Sequence, residues 1–207
     1  MKKRCVILSA GEVHPGAKEL VEPGDYLIAC DAGYLHAERL GLVPSLVLGD
    51  FDSAPKPQNG PVLTLPAEKD DTDTHYAARI ALEQGFRQVL FLGALGGERF
   101  EHSLANLATG LWLAKQGVAV ELADGQSRLC FVLPGAPVCL KHQANAYFSL
   151  FPLEGEALGV FVEGAKYPLQ NARLIPDYPL GVSNETLPGK TEISVQKGSL
   201  LLVQTKK

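Results

Sequence analysis

The first 125 residues alternate between short apolar runs and stretches with helical spacing. The runs cover residues 5–9, 26–30, 46–48, 62–65, 89–92 and 118–122, and most of them stop at a small or acidic residue. Continuous apolar runs of this length suit strands covered on both faces, as in a parallel sheet. Between them the period changes. Leu35 and Leu40 mark a short helix over residues 32–40, closed by Gly41. Ala77, Ile80, Ala81 and Gln84 mark a second over 74–84, closed by Gly85. Leu104, Leu107, Ala108, Leu111 and Lys115 trace one face of a third over 102–116, ended by Gly117. Glycine just past the last helical turn is a common terminator. Residues 54–61 carry three prolines and a glycine and read as a loop. The alternation predicts an α/β fold, with a mostly parallel, Rossmann-like sheet flanked by helices.

After about Gly125 the helical period disappears. Runs at 129–133, 146–150, 159–161, 192–195 and 200–203 are punctuated by glycine and proline. This pattern predicts a small all-β, sandwich-like domain. The expected domains are therefore residues 1–125 and 126–207.

Composition changes this picture little. The 207 residues are 46% hydrophobic and 20% charged, ordinary globular values that allow a sizeable core. The formal charge of −4 gives no broad basic surface for nucleic acid or an anionic membrane. Any anionic ligand must be met locally. The start, M-K-K-R then C-V-I-L, has an apolar run too short for a signal peptide, and no run is long enough for a membrane span. The four cysteines form no C-x-x-C pair and read as free thiols, which fits a cytoplasmic protein.

The candidate chemistry gathers where the predicted strands end, and ligands of open α/β sheets bind there. Asp31 follows the second strand. Asp50 and Asp52 follow the third, in G-D-F-D-S. An extended Asp-Phe-Asp would send both carboxylates one way and Phe51 the other, into the protein. Two such charges at about 4 Å repel by roughly 4 kcal/mol at an effective dielectric near 20, and a hard cation such as Mg²⁺ would offset this. Glu68, Asp70, Asp71 and Asp73 follow the fourth strand, and Asp73 stands where a helix N-cap or a metal ligand is expected. Gly93, Gly96 and Gly97 follow the fifth, in a loop that could bring backbone amides close to phosphate. This loop is neither a Walker A loop nor G-x-G-x-x-G. Arg99 offers a rigid cation for phosphate oxygens, and His102 reads as a helix-start residue. Acids, a metal and phosphate contacts without a nucleophile–base pair point to phosphoryl chemistry.

Five stretches together resemble the thiamine pyrophosphokinase family. They are D-A-G at 31–33, G-L-V-P-S-L-V-L-G-D-F-D-S at 41–53, E-K-D-D-T-D at 68–73, L-G-G-E-R-F-E-H-S-L-A-N at 95–106 and L-G-V-S-N-E at 180–185. K-Y-P-L-Q-N-A at 166–172 resembles the family's second-domain pattern. The resemblance implies a homodimer that transfers diphosphate from ATP to the hydroxyl of thiamine, releasing AMP. It implies Asp50, Asp52 and Asp73 as Mg²⁺ ligands and Asp31 beside thiamine. Gly96, Gly97, Arg99, Glu101 and His102 would lie by the nucleotide. Ser183 and Asn184 would shape the thiamine site from the other subunit. Two residues depart from the family pattern. Ala32 stands where a glycine is common, and Glu101 where an aspartate is common. Two other readings fit the same residues: a pyrophosphokinase acting on another heterocyclic alcohol such as a pterin, and a non-catalytic thiamine-binding regulator.

Overall fold

The computed structural model describes residues 4–52 and 54–207. Residues 1–3, the basic start of the chain, and Ser53, the end of the G-D-F-D-S stretch, lie outside the described residues. The chain forms two compact units, residues 1–125 and 126–207.

In the first unit six strands form a sheet in the order β4-β3-β2-β1-β5-β6. They are β1 (Cys5–Leu8), β2 (Tyr26–Cys30), β3 (Leu46–Gly49), β4 (Val62–Thr64), β5 (Gln88–Leu92) and β6 (Ala119–Ala123). Every pairing is parallel. β1 and β2 are almost wholly buried, and this explains runs without alternation. On one face Val6, Leu8, Leu27, Leu90 and Leu92 pack against Ala37 of α1 (Gly33–Leu40) and Ala17 of a 3-10 turn (Pro15–Leu20). Side chains of opposite parity meet α2 (Asp73–Glu83), where the Cys30 thiol lies 3.7 Å from the Asp73 carbonyl. The order grows outwards from β1 in both directions, so it reverses between β1 and β5. A crevice forms at such a reversal.

The helices end where the glycines stand, with left-handed φ of 64° at Gly41, 79° at Gly85 and 77° at Gly117. The orientation of α3 (Phe100–Lys115) corrects the sequence reading. The leucine face is not the core face, and Leu104 is 53% exposed. Ser103, Asn106, Thr109, Gly110 and Leu113 face inwards. The reason is local. Small residues let the helix approach closely, and Asn106 and Ser103 turn inwards to hydrogen-bond the carbonyls of Ala94 and Gly96 at 2.9 and 3.4 Å. These bonds fix the helix rotation against hydrophobic periodicity. α3 also starts two residues earlier than expected, so Arg99 becomes its N-cap residue.

The second unit contains two antiparallel sheets. One holds β7 (Ser127–Val132), β13 (Leu200–Lys206) and β9 (Ala146–Pro152), and the other has the order β11-β10-β12-β8. Its members are β8 (Val138–Lys141), β10 (Ala157–Glu163), β11 (Leu169–Leu174) and β12 (Lys190–Ser194). Val132, Phe148, Leu150, Val160, Val162, Ile193 and Leu202 form its core. Each large side chain buried there contributes roughly 1.5–3 kcal/mol. β8 and β11 were not expected from the sequence. Both are partly exposed edge strands with little apolar signal.

No helix among the described residues is long and apolar enough to cross a membrane. All four cysteines are free thiols. Burial, then the charge of Asp25, pushes the Cys5 thiol up to about 12, and burial raises Cys30 well above its ordinary range. Native protein treated with a thiol reagent at pH 8 is expected to react at exposed Cys139 first and at Cys5 and Cys30 only after unfolding. The stability that the protonated Cys5 thiol contributes is present below the unfolded thiol range and is lost as pH rises through about 12. Mass spectrometry of labelled peptides measures the order.

Candidate active site at the carboxyl ends of the strands

Close backbone approach builds the site. The Asp31 amide donates to the Leu48 carbonyl at 2.7 Å, which ties the exit of β2 to the end of β3. Gly49 makes this possible, since a Cβ there would lie 3.0 Å from the Asp31 Cα. Gly33 lies so close to the β1 terminus that a Cβ would meet the Leu8 carbonyl oxygen at 2.2 Å. Ala32, by contrast, has an ordinary helical φ of −59°. Its place in the D-A-G stretch needs no glycine.

Asp31, Asp50 and Asp52 each bring a carboxylate oxygen within 4.8 Å of the others. The backbone does this differently from the expected extended strand. Phe51 has a left-handed φ of 59°, so Asp50 and Asp52 converge across a turn and not by strand alternation. The Asp52 amide closes the turn onto Asp50 Oδ1 at 3.3 Å. Phe51 does pack inwards, against the cluster of Ala29, Tyr34, Val47 and Ala54. Asp31 has a left-handed φ of 47° as well. Non-glycine residues held this way cost of order 1–3 kcal/mol and cluster at functional sites.

Asp73 approaches the same cluster from α2. It is the first helical residue and not the N-cap. Thr72 is the cap, its hydroxyl accepting from the His75 amide at 3.1 Å. Asp73 is thereby free of a capping role. Thr74 next to it joins Ser9 of the β1 exit at 2.9 Å, hydroxyl to hydroxyl. Between Asp50 and Asp73 stands Lys69, a residue the sequence reading passed over. Its Nζ lies 3.0 Å from Asp50 Oδ2 and 3.1 Å from Asp73 Oδ1. The signal was present, since a lone cation inside E-K-D-D-T-D must serve as the local counter-ion.

The two acids respond differently to that lysine. The hydrogen bond from Lys69 holds Asp50 below the usual carboxylate range. Burial pushes Asp73 up, and the like charges of Asp50 and Asp31 add to it, outweighing Lys69. Asp73 Oδ1 is buried and makes no well-aligned hydrogen bond, even at 3.1 Å from the ammonium. A buried carboxylate oxygen without a directed donor, close enough to Asp50 and Asp31 to feel their charge, suits a hard divalent cation. The donor set therefore fits Mg²⁺. The close group is Asp31, Asp50 and Asp52, while Asp73, expected as the third ligand with Asp50 and Asp52, is tied to Asp50 through Lys69.

Across the sheet reversal, the β1 and β5 exits lie against each other. The Gly11 amide donates to the Gly93 carbonyl at 2.9 Å, and a Cβ on Gly11 would meet that oxygen at 2.5 Å. Gly96 and Gly97 have left-handed φ of 72° and 84°, and a Cβ on Gly97 would lie 3.7 Å from the Glu12 amide nitrogen. His36 of α1 reaches the Ala10 carbonyl at 3.4 Å, and burial lowers its pKa. Ser103 and Asn106 thus support the loop and His36 the β1 exit beside it, roles that did not stand out in the sequence. Arg99, Glu101 and His102 sit on the exposed start of α3. Arg99 pairs with Glu101 at 2.8 Å, and His102 Nε2 lies 3.9 Å from the same oxygen. Arg99 makes no side-chain cap, so the first amides of the helix are not satisfied by it. Beside α2, His75 and Trp112 wall a groove of about 290 Å³, their rings 4.7 Å apart.

Ser183 and Asn184 lie in the second unit, on a segment bridged to β9. Ser183 has a left-handed φ of 60°, and its amide donates to Ser149 Oγ at 3.0 Å. Asn184 is buried, and its side chain serves the backbone. Oδ1 accepts from the amides of Tyr167 and Glu185 at 3.0 and 2.8 Å, and Nδ2 donates to the Tyr167 carbonyl at 2.7 Å. It therefore sets the position of Tyr167, an exposed aromatic distant in sequence. Lys166 and Lys207 flank Glu185 and draw its carboxyl down to about 2.

Two family models match this chain. Thiamin pyrophosphokinase, catalytic domain, covers residues 17–122, and Thiamin pyrophosphokinase, vitamin B1 binding domain, covers residues 138–200. A thiamine pyrophosphokinase of Bacillus subtilis is 29% identical over 185 residues, 86% of each chain. A crystal structure of the thiamine pyrophosphokinase from Bacillus subtilis superposes with a TM-score of 0.89 at 24% identity, covering 99% of this chain and 100% of that one. One from Geobacillus thermodenitrificans gives 0.87 at 26% identity, covering 99% and 98%.

Gly49→Ala is expected to destabilise the protein by about 1–3 kcal/mol, because the Asp31 backbone must move. Chemical denaturation measures this, and an unchanged midpoint would rule out the tight approach. Asp73→Asn is expected to leave metal-free stability at neutral pH equal or higher. The neutral carboxyl stabilises the fold below the unfolded carboxylate range, and that contribution is lost as pH rises through the raised Asp73 value. A permanently neutral side chain removes the loss. Thermal melts of metal-free protein test it.

Proposed function

The chain belongs to the thiamine pyrophosphokinase family, and from that premise we propose that it transfers the diphosphate of ATP to the hydroxyethyl oxygen of thiamine, with Mg²⁺ held by Asp50, Asp52 and Asp73. The activity of the family is thiamine pyrophosphokinase activity, and this chain carries both of its domains. The observation that supports the site assignment best is the convergence of Asp31, Asp50 and Asp52 beside the buried Asp73 oxygen.

The balance of the reaction is simple. The thiamine oxygen forms a bond to the β-phosphorus of ATP, the bond from that phosphorus to the α–β bridging oxygen breaks, and AMP leaves. The alcohol proton passes to a carboxylate of the cluster. When bound, Mg²⁺ supplies charge neutralisation and polarisation at the phosphate oxygens. Arg99 exchanges Glu101 for a phosphate oxygen, and Gly96 and Gly97 let backbone amides face the nucleotide. Glu101, one methylene longer than the common aspartate, keeps Arg99 oriented until then. Asp31 faces the thiamine cation, for which an acid-lined cavity is electrostatically suited.

The thiamine site is completed in a homodimer by Ser183 of the partner subunit, held in place by Asn184 of the partner subunit. The exposed apolar side chains Tyr147, Phe151, Leu180 and Val182 near that segment support such an interface, as do Phe100 and Leu104 on α3. In a twofold dimer each type of patch is used twice. The reading places the enzyme in the cytoplasm, in keeping with four free thiols.

Incubation with ATP, Mg²⁺ and thiamine should yield AMP and thiamine diphosphate in equal amounts, followed by chromatography. Product formation only with a pterin alcohol, or thiamine binding without AMP, would overturn the assignment. Asp50→Asn should lower turnover by about a hundredfold or more with the fold intact, since even outer ligand partners are worth about 10–100-fold. Val182→Asp should give a monomer by light scattering, with turnover reduced in step. A fully active monomer would remove the shared site.

A further inference from the structure

Lys69 holds together two acids that come from different elements. Asp50 follows β3 and Asp73 begins α2, and a single ammonium lies 3.0 Å from one and 3.1 Å from the other. The same Nζ also donates to the Pro66 carbonyl at 3.2 Å, and the side chain is only 15% exposed. An ammonium in that position uses the same oxygens that a divalent cation between Asp50 and Asp73 would need. Both cannot be satisfied at full strength. The lysine stem is flexible, with four carbons and a point charge, so the head group can leave while the backbone stays. A triphosphate brought to the acid cluster offers the displaced ammonium new oxygens of the same charge type.

We propose that Lys69 is an internal counter-ion of the metal-free site, which yields Asp50 and Asp73 to the divalent cation and moves onto a phosphate oxygen of the nucleotide. This rests on the reading of those acids as metal ligands. It makes cation and nucleotide binding interdependent. Each raises the affinity of the other by the same factor, because the nucleotide draws off the lysine that competes with the cation. It also gives the motif E-K-D-D-T-D a reason for its one cation. Without Lys69, like charges at the ends of β3 and α2 would face each other across the empty site before any ligand arrives.

The test uses Mn²⁺ as probe and the full chain, without thiamine so that no turnover occurs. Electron paramagnetic resonance measures free Mn²⁺. Lys69→Gln is expected to bind Mn²⁺ alone about tenfold more tightly than the unaltered protein, and the Mn²⁺–ATP complex about tenfold more weakly by calorimetry. Lys69→Arg, which keeps the charge, is expected to bind Mn²⁺ alone within about twofold of the unaltered protein. Equal or weaker binding of Mn²⁺ by Lys69→Gln would overturn the proposal. A measurement on the unaltered protein covers the case in which the variant does not fold. With lysines labelled at Cε, Mg²⁺ and ATP together should shift the Lys69 resonance, and its absence from the set of shifted signals would equally overturn it. Asp50→Asn separates this proposal from the reading beneath it. If that variant keeps full Mn²⁺ affinity, the metal assignment itself fails, whatever Lys69 does.

Discussion

Like charges forced into one small space are the constraint around which the first unit is arranged. Asp31, Asp50 and Asp52 meet within 4.8 Å, and Asp73 adds a fourth carboxyl from α2. No packing gain offsets such repulsion, so the surrounding structure has to hold it. It does so by parallel strand ends locked in register, by Gly49 and Gly33 allowing backbones to touch, and by Phe51 anchored in an apolar cluster. Lys69 neutralises part of the charge from within. Preorganised charge of this kind is what phosphoryl transfer needs.

Support for the glycine loop after β5 follows another logic. There close backbone contacts and two side-chain bonds shape the loop. Gly11 and Gly93 let the β1 and β5 exits touch, Gly96 and Gly97 take left-handed turns, and Asn106 and Ser103 tie loop carbonyls to α3. This explains why α3 turns its leucines outwards. The helix is oriented by two polar bonds to the loop, which leaves Phe100 and Leu104 exposed. In the second unit Asn184 has a comparable role. Its amide group satisfies three backbone atoms and so holds Tyr167 next to the Ser183 segment. This segment of the second unit is therefore shaped by a buried polar hub with an aromatic at its edge.

Much of this was legible in the residues, for identifiable reasons. Strands buried on both faces have to be apolar throughout, so β1, β2 and β5 declared themselves. Helix ends needed a left-handed residue, so Gly41, Gly85 and Gly117 marked them. The strand-end position of every acid followed from these boundaries. Short-range readings failed where a long-range contact outweighed local pattern. The face of α3 was decided by Ala94 and Gly96, and the turn at Phe51 by packing against Val47 and Tyr34. The edge strands β8 and β11 carried too few buried side chains to show a period.

Local composition and spacing by themselves determined the α/β-then-β order, the helix limits and the cluster of acids at strand ends, because burial and backbone sterics act within a few residues. Tertiary structure alone decided which acids meet, that Lys69 stands between Asp50 and Asp73, and that Asn184 serves Tyr167. Those are distances between elements far apart in the chain. They are set by strand order and by the closeness of backbone approach, which no local pattern encodes.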